Sequence, residues 1–472
     1  MTSKSNIRSL LLVCLLGTAW QIGYASEDSG TINGPLRPLP ANPRYFTDDS
    51  GRAILLTGSH TWNNLVDMAP EGSEMAFDYD AYLDWMAAYP HNFMRLWTWE
   101  LLTWNTSGNR EKQARLHRVW PQPWQRTGPG ETLDGKPKFD LTKFNDEYFT
   151  RLRDRVRAAQ EHGIYTAVML FEGWGLQFSP DAWKNHPMHP ENNVNGIDGD
   201  LDGDGKGIEV HSGRNERITE LQRAYVRKVV DTVNQFDNVL YEISNENHPP
   251  STEWQYAIIR FVKDCERTEP KQHPVGMTFQ YKGGSNETLM NSPADWISPN
   301  PEGGYRDNPP AGDGTKVIVT DTDHLWGIGG NSTWVWKSFL RGLNPIFMDP
   351  YDGSVLSKGF DKAAAESIRK SMGYALSWSR RVDLAAMTPQ SELASSKYCL
   401  ANPGAEYLVL VPKGDKKVAV NLPAGQFTPV WFDPDSGAEL QREPVAHKGK
   451  ERSFESPFSG DSLLYLRGRS AR

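Results

Sequence analysis

The sequence predicts an α/β protein: a (β/α)₈ TIM barrel followed by a small C-terminal all-β sandwich domain. Two observations predict it. From Leu55 to Trp378, short apolar strand-like runs alternate with amphipathic helical patterns about eight times, the order of a parallel barrel. After Asp383 the texture changes to short strands parted by Pro, Gly and Asp turns. A chain of 472 residues has room for one large barrel and one small domain.

Lys4 and Arg8 precede an apolar run, Leu10 to Leu16, which is followed by Gly23-Tyr24-Ala25-Ser26. That order of charge, apolar run and small residues is a secretory signal peptide, residues 1–25, and implies a secreted or periplasmic protein. The run is too short to span a membrane, and no longer apolar stretch follows. The barrel is expected over 26–385 and the β-domain over 386–472.

Tyr45-Phe46-Thr47, Asp48 to Gly51 and Ala53 to Leu56 form a hairpin pattern leading into a first strand, Leu55 to Gly58. A helix, Phe77 to Ala88, precedes the second strand, Phe93 to Trp97. A long polar insertion from Glu100 to Lys143 and a helix, Asn145 to His162, lead to the third strand, Tyr165 to Phe171. A second insertion, Glu172 to Arg214, and the amphipathic stretch Glu216 to Phe236 lead to the fourth strand, Val239 to Ser244. Thr252 to Arg267 reads as helix. Strands five to eight are Pro274–Phe279, Asp295–Ser298, Lys316–Thr320 and Pro345–Asp349, with helices at Thr333 to Arg341 and Lys362 to Trp378.

Composition narrows the function. The net charge of -8 argues against binding a nucleic-acid backbone. The 17 Trp and 17 Tyr suit stacking on sugar faces, although core packing claims most such rings. Beyond the leader only Cys265 and Cys399 remain, in different domains, so no disulfide framework is expected.

The chemistry concentrates at two strand ends. Strand four ends in Asn245-Glu246, and strand seven runs into Asp321-Thr322-Asp323-His324. Side chains just past the C-terminal ends of barrel strands point into the mouth, so these carboxylates face each other across it. Two opposed carboxylates suit cleavage of a glycosidic bond: one protonates the leaving oxygen, and the other attacks the anomeric carbon or activates water. Glu246 is the expected acid. Asp321, directly after its strand, is preferred over Asp323 as its partner, and Glu172 is a rival acid. His60, Trp62, Trp97, Trp99, Trp174, Tyr281, His324, Trp326 and Asp349 stand at strand ends as candidate substrate contacts.

These residues resemble clan A of the glycoside hydrolases. More narrowly, Gly58-Ser59-His60-Thr61-Trp62, the run Asp321 to Gly327 and Trp431-Phe432-Asp433-Pro434 look like apiosidase-like hydrolases, whose terminal β-domain carries a collagen-binding label. The resemblance implies Glu246 as general acid/base, Asn245 as ligand of the sugar 2-hydroxyl and Arg95 as support for the nucleophile. The chain departs from the clan in having Asp321 where Glu is usual. Asp is one methylene shorter, which alters the separation that sets retention against inversion.

The insertion after strand three contains Asp198, Asp200, Asp202, Gly203, Asp204 and Glu209 in the spacing of a calcium loop. The chemistry itself requires no cofactor, so Ca²⁺ would be structural. The expected partner is a carbohydrate substrate, cleaved by a secreted, retaining glycoside hydrolase acting on a complex polysaccharide or oligosaccharide. The alternative is a non-catalytic carbohydrate-binding protein on a degenerate barrel.

Overall fold

The computed structural model describes residues 30–73, 75–105, 116–178, 180–356 and 361–469. The expected signal peptide lies outside the described residues. Eight parallel strands form one sheet: β1 (Gly58–His60), β2 (Phe93–Leu96), β3 (Tyr165–Glu172), β4 (Val239–Asn245), β5 (Val275–Thr278), β6 (Trp296–Ser298), β7 (Val317–Asp321) and β8 (Asn344–Met348). Their order is β1-β8-β7-β6-β5-β4-β3-β2, the circuit of a (β/α)₈ barrel.

The seam between β1 and β2 is bridged by Asn92. Its Oδ1 accepts the Thr57 N–H at 3.0 Å, and its Nδ2 donates to the Leu55 carbonyl at 2.8 Å. The first strand therefore begins at Gly58 rather than Leu55, because side chains occupy the backbone before it; the Leu56 N–H is bound to Asn344 Oδ1. Gly58 is needed there, since a Cβ would sit 2.3 Å from the Phe93 carbonyl oxygen.

The inside of the barrel changes character along its length. At the N-terminal end Phe93, Tyr165, Ala167, Leu240, Trp296, Val317, Val319 and Ile346 form one apolar cluster, sealed from below by Leu36 and Phe46 of the lead-in. Trp296 fits because β5 offers it Gly276, where a Cβ would lie 1.9 Å from the indole. Two residues further along β2, β4 and β7, the same inward face carries Arg95, Glu242 and Asp321.

Besides a short helix at Trp174–Phe178, the helices among the described residues are α1 (Tyr79–Ala88), α2 (Asp146–Glu161), α3 (Glu216–Val233), α4 (Thr252–Glu266), α5 (Asn286–Met290), α6 (Thr322–Trp326), α7 (Ser332–Leu340) and α8 (Lys362–Arg381). Asp78, Asn145, Asn215, Asn331 and Asp361 each cap a helix by accepting a backbone N–H. β6 is followed only by a 3₁₀ turn, Glu302–Gly304. The segment after it, with Pro299, Pro301, Gly303, Gly304, Pro309 and Pro310, has no helical propensity. Among the described residues no helix is long and apolar enough to cross a membrane.

The first insertion is more ordered than its polarity suggests. Leu116–Trp120 pairs with Asp67–Pro70 and Thr103–Asn105, and Trp124–Glu131 pairs with Pro137–Phe144. The C-terminal domain is antiparallel, with strands from Thr388–Pro389 to Ser462–Arg469. Its long strand Lys417–Phe432 pairs with Val445–Glu455 in its first part and with Ser462–Arg469 in its second. The sheet thereby folds across its own core of Val409, Val418, Val420, Phe454 and Leu464. Its outer face packs on the barrel: the Phe432 ring meets Trp336 of α7 and Trp378 of α8, with centroids 5.9 and 5.7 Å apart. Cys265 and Cys399 are buried free thiols.

Candidate active site

The C-terminal mouth of the barrel opens into a cleft of about 650 Å³. It is lined by Trp62, Trp174, Asn245, Glu246, Phe279, Tyr281, Arg306, Asp323, His324 and Trp326, among others. A smaller cavity of about 330 Å³ lies at the opposite end, beside Asp48, Asn92, Tyr165 and Arg380, away from the strand C-termini.

Glu246 follows the last residue of β4 with φ +41°, a left-handed conformation that bulky side chains rarely adopt. Gln177 Nε2 donates to its carbonyl oxygen at 2.9 Å. The side chain is 7% exposed. Burial first, then the negative charges of Asp323, Glu172 and Asp321, hold its carboxyl well above the usual range, against the opposing pull of Arg95. Glu246 thus faces the cleft as a carboxyl that holds its proton more tightly than an ordinary one.

The two aspartates of the strand-seven end have different surroundings. Asp321 closes β7 and caps α6, accepting the Asp323 N–H at 2.9 Å. It is fully buried, takes a hydrogen bond from His60 Nε2 at 3.0 Å and another from Arg95 at 2.9 Å, and does not line the cleft. Burial opposes its ionisation, but His60, Arg95 and His324 outweigh that and hold its carboxyl well below the ordinary value. The first turn of α6 carries Asp323 onto the cleft wall. Burial and the charge of Asp321 raise the Asp323 pKa to about 6, although Arg95 donates to it at 3.0 Å. Asp323 is therefore the carboxylate at the surface of the cleft, and Asp321, the one preferred from the sequence, lies beneath it.

Arg95 joins the floor together. Its Nε and Nη2 donate to both oxygens of Glu242 at 2.8 and 2.6 Å, its Nη1 reaches Asp321 and Asp323, and Nη2 also reaches Asn245 Oδ1 at 2.5 Å. Around it, the Trp97 indole donates to His60 Nδ1 at 2.8 Å. That nitrogen is therefore unprotonated, and Nε2 carries the hydrogen given to Asp321. His324 lies on the cleft wall, with Nδ1 2.7 Å from Ser298 Oγ and Nε2 3.4 Å from Asn245 Oδ1. Burial and the nearby Arg95 push its pKa down to about 3, so it is neutral.

Of the other residues expected here, Trp62, Trp174, Tyr281 and Trp326 line the cleft. Trp97 and Trp99 are packed beneath Trp62, with ring centroids 5.9 and 5.2 Å from it, and do not face the cleft. Asp349 is not a substrate contact either. It is fully buried and held by both arms of Arg369 at 2.7 and 2.5 Å and by Ser59 at 3.1 Å, tying α8 to the barrel. Glu172 is also withdrawn from the cleft. It accepts the N–H groups of Trp174 and Gly175 at 2.8 and 3.0 Å, while burial and the charge of Glu100 push its pKa up to about 8.

Sequence reasoning missed Glu242, Ser298, Glu100, Phe279 and Arg306. Glu100 is buried between His186 and His211, each 3.2 Å away; burial opposes its ionisation, but the two imidazoles bring its pKa down to about 2. Glu242 had a signal. Leu240, Glu242 and Ser244 share one face of β4, and a charge on the inner face of a barrel strand demands a partner.

Residues 109–282 match the model of a family described as a domain of unknown function (DUF6298). No curated protein matches the sequence. Solved structures do resemble the fold. One described as a glycoside hydrolase aligns with a TM-score of 0.60 at 11% identity, covering 93% of this chain and 98% of its own. A glycoside hydrolase family 5 protein from Bacteroides vulgatus aligns at 0.60 and 12%, covering 93% and 94%. At such identity the likeness concerns the fold, and it extends over barrel and β-domain together.

Proposed function

We propose that this chain is an exported glycoside hydrolase of a complex polysaccharide or its oligosaccharides, with Glu246 as acid/base and Asp323 as nucleophile. The observation that carries the reading is the pairing of these two carboxylates on one aromatic-walled cleft at the strand C-termini, with Asp323 the strongest charge acting on Glu246. Their environments divide the roles. The Glu246 carboxyl is held well above the usual range and favours its protonated form, whereas Asp323 is ionised above about 6.

Glu246 gives its proton to the glycosidic oxygen as the C1–O bond breaks, and the leaving sugar departs as an alcohol. The Asp323 carboxylate forms an ester with C1. Water then attacks C1, Glu246 takes a proton from that water, and the Asp323–C1 bond breaks with net retention. Arg95 positions Asp323 through Nη1, and Asp321 holds Arg95 and His60 in place from below. Asn245, whose Oδ1 is fixed by Arg95, lines the cleft where a sugar hydroxyl would bind. The apiosidase-like subtype belongs to the same proposal, supported by the Asp321 to Gly327 run that supplies Asp323, His324 and Trp326 to the wall.

A purely sugar-binding role is less well supported, because it gives no reason to hold two unlike carboxyls together in one cleft. The test is a panel of polysaccharides with product anomers read by NMR, followed by peptide mapping after reaction with an activated 2-deoxy-2-fluoro glycoside of the sugar released. Hydrolysis with retention and an ester on Asp323 is expected. Hydrolysis of no panel member, or an ester on Asp321, would overturn the assignment.

A further inference from the structure

The insertion between β3 and α3 holds an acidic loop that the proposed chemistry does not use. Residues Asp198 to Glu209 run into a 3₁₀ turn, Ile208–His211. Here Asp200, Asp202 and Glu209 each bring a carboxylate oxygen to within 4.8 Å of the others. Two further acids named by the sequence pattern stand outside this group. Asp198 accepts the Asp200 N–H at 3.0 Å, and Asp204 pairs with Lys206.

Close acidic side chains on a surface are common, and Asp202 is exposed. Glu209 is different. It is 8% exposed, and its Oε2 is buried without a hydrogen-bond partner among the described residues. Oε1 has Arg214 for a counter-charge, at 3.7 Å. A buried carboxylate oxygen with no donor is costly, and native structures rarely leave one. A hard cation with oxygen ligands at about 2.3–2.6 Å spans ligand pairs up to about 5 Å apart, which accommodates the observed group.

We propose that Asp200, Asp202 and Glu209 bind a Ca²⁺ ion that clamps the Ile208–His211 turn against the barrel mouth. The turn touches the site from two sides. His248, two residues past Glu246 in the chain, donates from Nε2 to the Ile208 carbonyl at 2.7 Å. His211 lies 3.2 Å from Glu100, which also accepts the Glu172 N–H at 2.9 Å. The ion therefore fixes the loop on which the ends of β3 and β4 lean. This assignment rests on the loop alone and stands independently of the glycosidase reading.

The experiment is titration of CaCl₂ into chelator-treated full-length protein by calorimetry, with thermal melts and hydrogen exchange of the same samples. Single-site heat, a rise in Tm and slower exchange over 198–211 are expected. Asp200→Asn and Glu209→Gln should each weaken binding at least tenfold, whereas Asp204→Asn, whose carboxylate lies outside the group, should bind as the parent does. Absence of heat and of a Tm change in the parent protein would overturn the site, as would undiminished binding in both Asp200→Asn and Glu209→Gln.

Discussion

Replacing Asp323 with Asn should stabilise the protein while abolishing turnover, and the gain should depend on pH. Asp323 is raised from 3.8 to about 6. Between those values the folded state holds a proton that the unfolded state releases, so stability falls as pH rises through this window and the full penalty applies above it. About two pKa units at roughly 1.4 kcal/mol each amount to about 3 kcal/mol. The asparagine side chain would mimic the protonated acid and keep an oxygen for Arg95 Nη1, so the variant escapes the penalty. With an unfolding entropy of about 2.1 cal/mol/K per residue, the chain would gain about 3 °C in Tm at pH 8 and almost nothing at pH 4. Differential scanning calorimetry of both proteins at pH 4, 6 and 8 reads this directly. Asp321→Asn is the contrasting variant. Asp321 is held below its ordinary value, so its stabilisation is present above the unfolded pKa and lost as pH falls, and its removal should cost several kcal/mol at pH 8. An Asp323→Asn shift that is negative, or equal at pH 4 and pH 8, would refute the account of strain at this carboxylate.

The pH profile of kcat/KM should have an acid limb near 6, where Asp323 ionises, and a basic limb well above the usual carboxyl range, where Glu246 loses its proton; Glu246→Gln, assayed on an aryl glycoside with a good leaving group, should lose the basic limb. Arg369→Met strands Asp349 as a buried charge and should cost about 3–5 kcal/mol in urea unfolding with kcat unchanged, and adding Asp349→Leu should restore most of it. Trp326→Ala removes a half-buried ring from the cleft wall and should raise KM about tenfold with little change in kcat, as expected for lost uniform binding.

The barrel was legible because its strands are written as apolar runs. Val239-Leu240-Tyr241 and Val317-Ile318-Val319 admit few other readings, and the helices α1, α2, α3, α7 and α8 each begin with a capping Asn or Asp. The hairpins inside the first insertion were hidden, since strands such as Pro137–Phe144 bury only three of their eight residues and carry a mixed pattern. In the site, Glu246 was readable from its strand end. The choice between Asp321 and Asp323 turned on whether the chain leaves β7 as loop or as helix. An Asp followed by a short helical run is itself a capping signal, and a capping carboxylate is turned toward backbone rather than toward a ligand. The withdrawal of Asp349 could not be read locally, because it depends on Arg369 of α8 being brought to it by the fold, whereas Glu172 is turned back by the neighbouring Trp174 and Gly175 N–H groups.

The packing of Phe432 against Trp336 and Trp378 has a consequence for how this architecture can change. The apolar core of the barrel continues without a break into Leu400, Leu408, Leu410, Phe432 and Leu463 of the β-domain. The two parts are therefore not interchangeable modules. Cutting the chain near residue 385 would leave the tryptophans of α7 and α8 facing water beside the half of the barrel that carries Asp323. Exchange of the β-domain between relatives is feasible only where the acceptor brings a matching aromatic face, so the two parts must evolve as a pair.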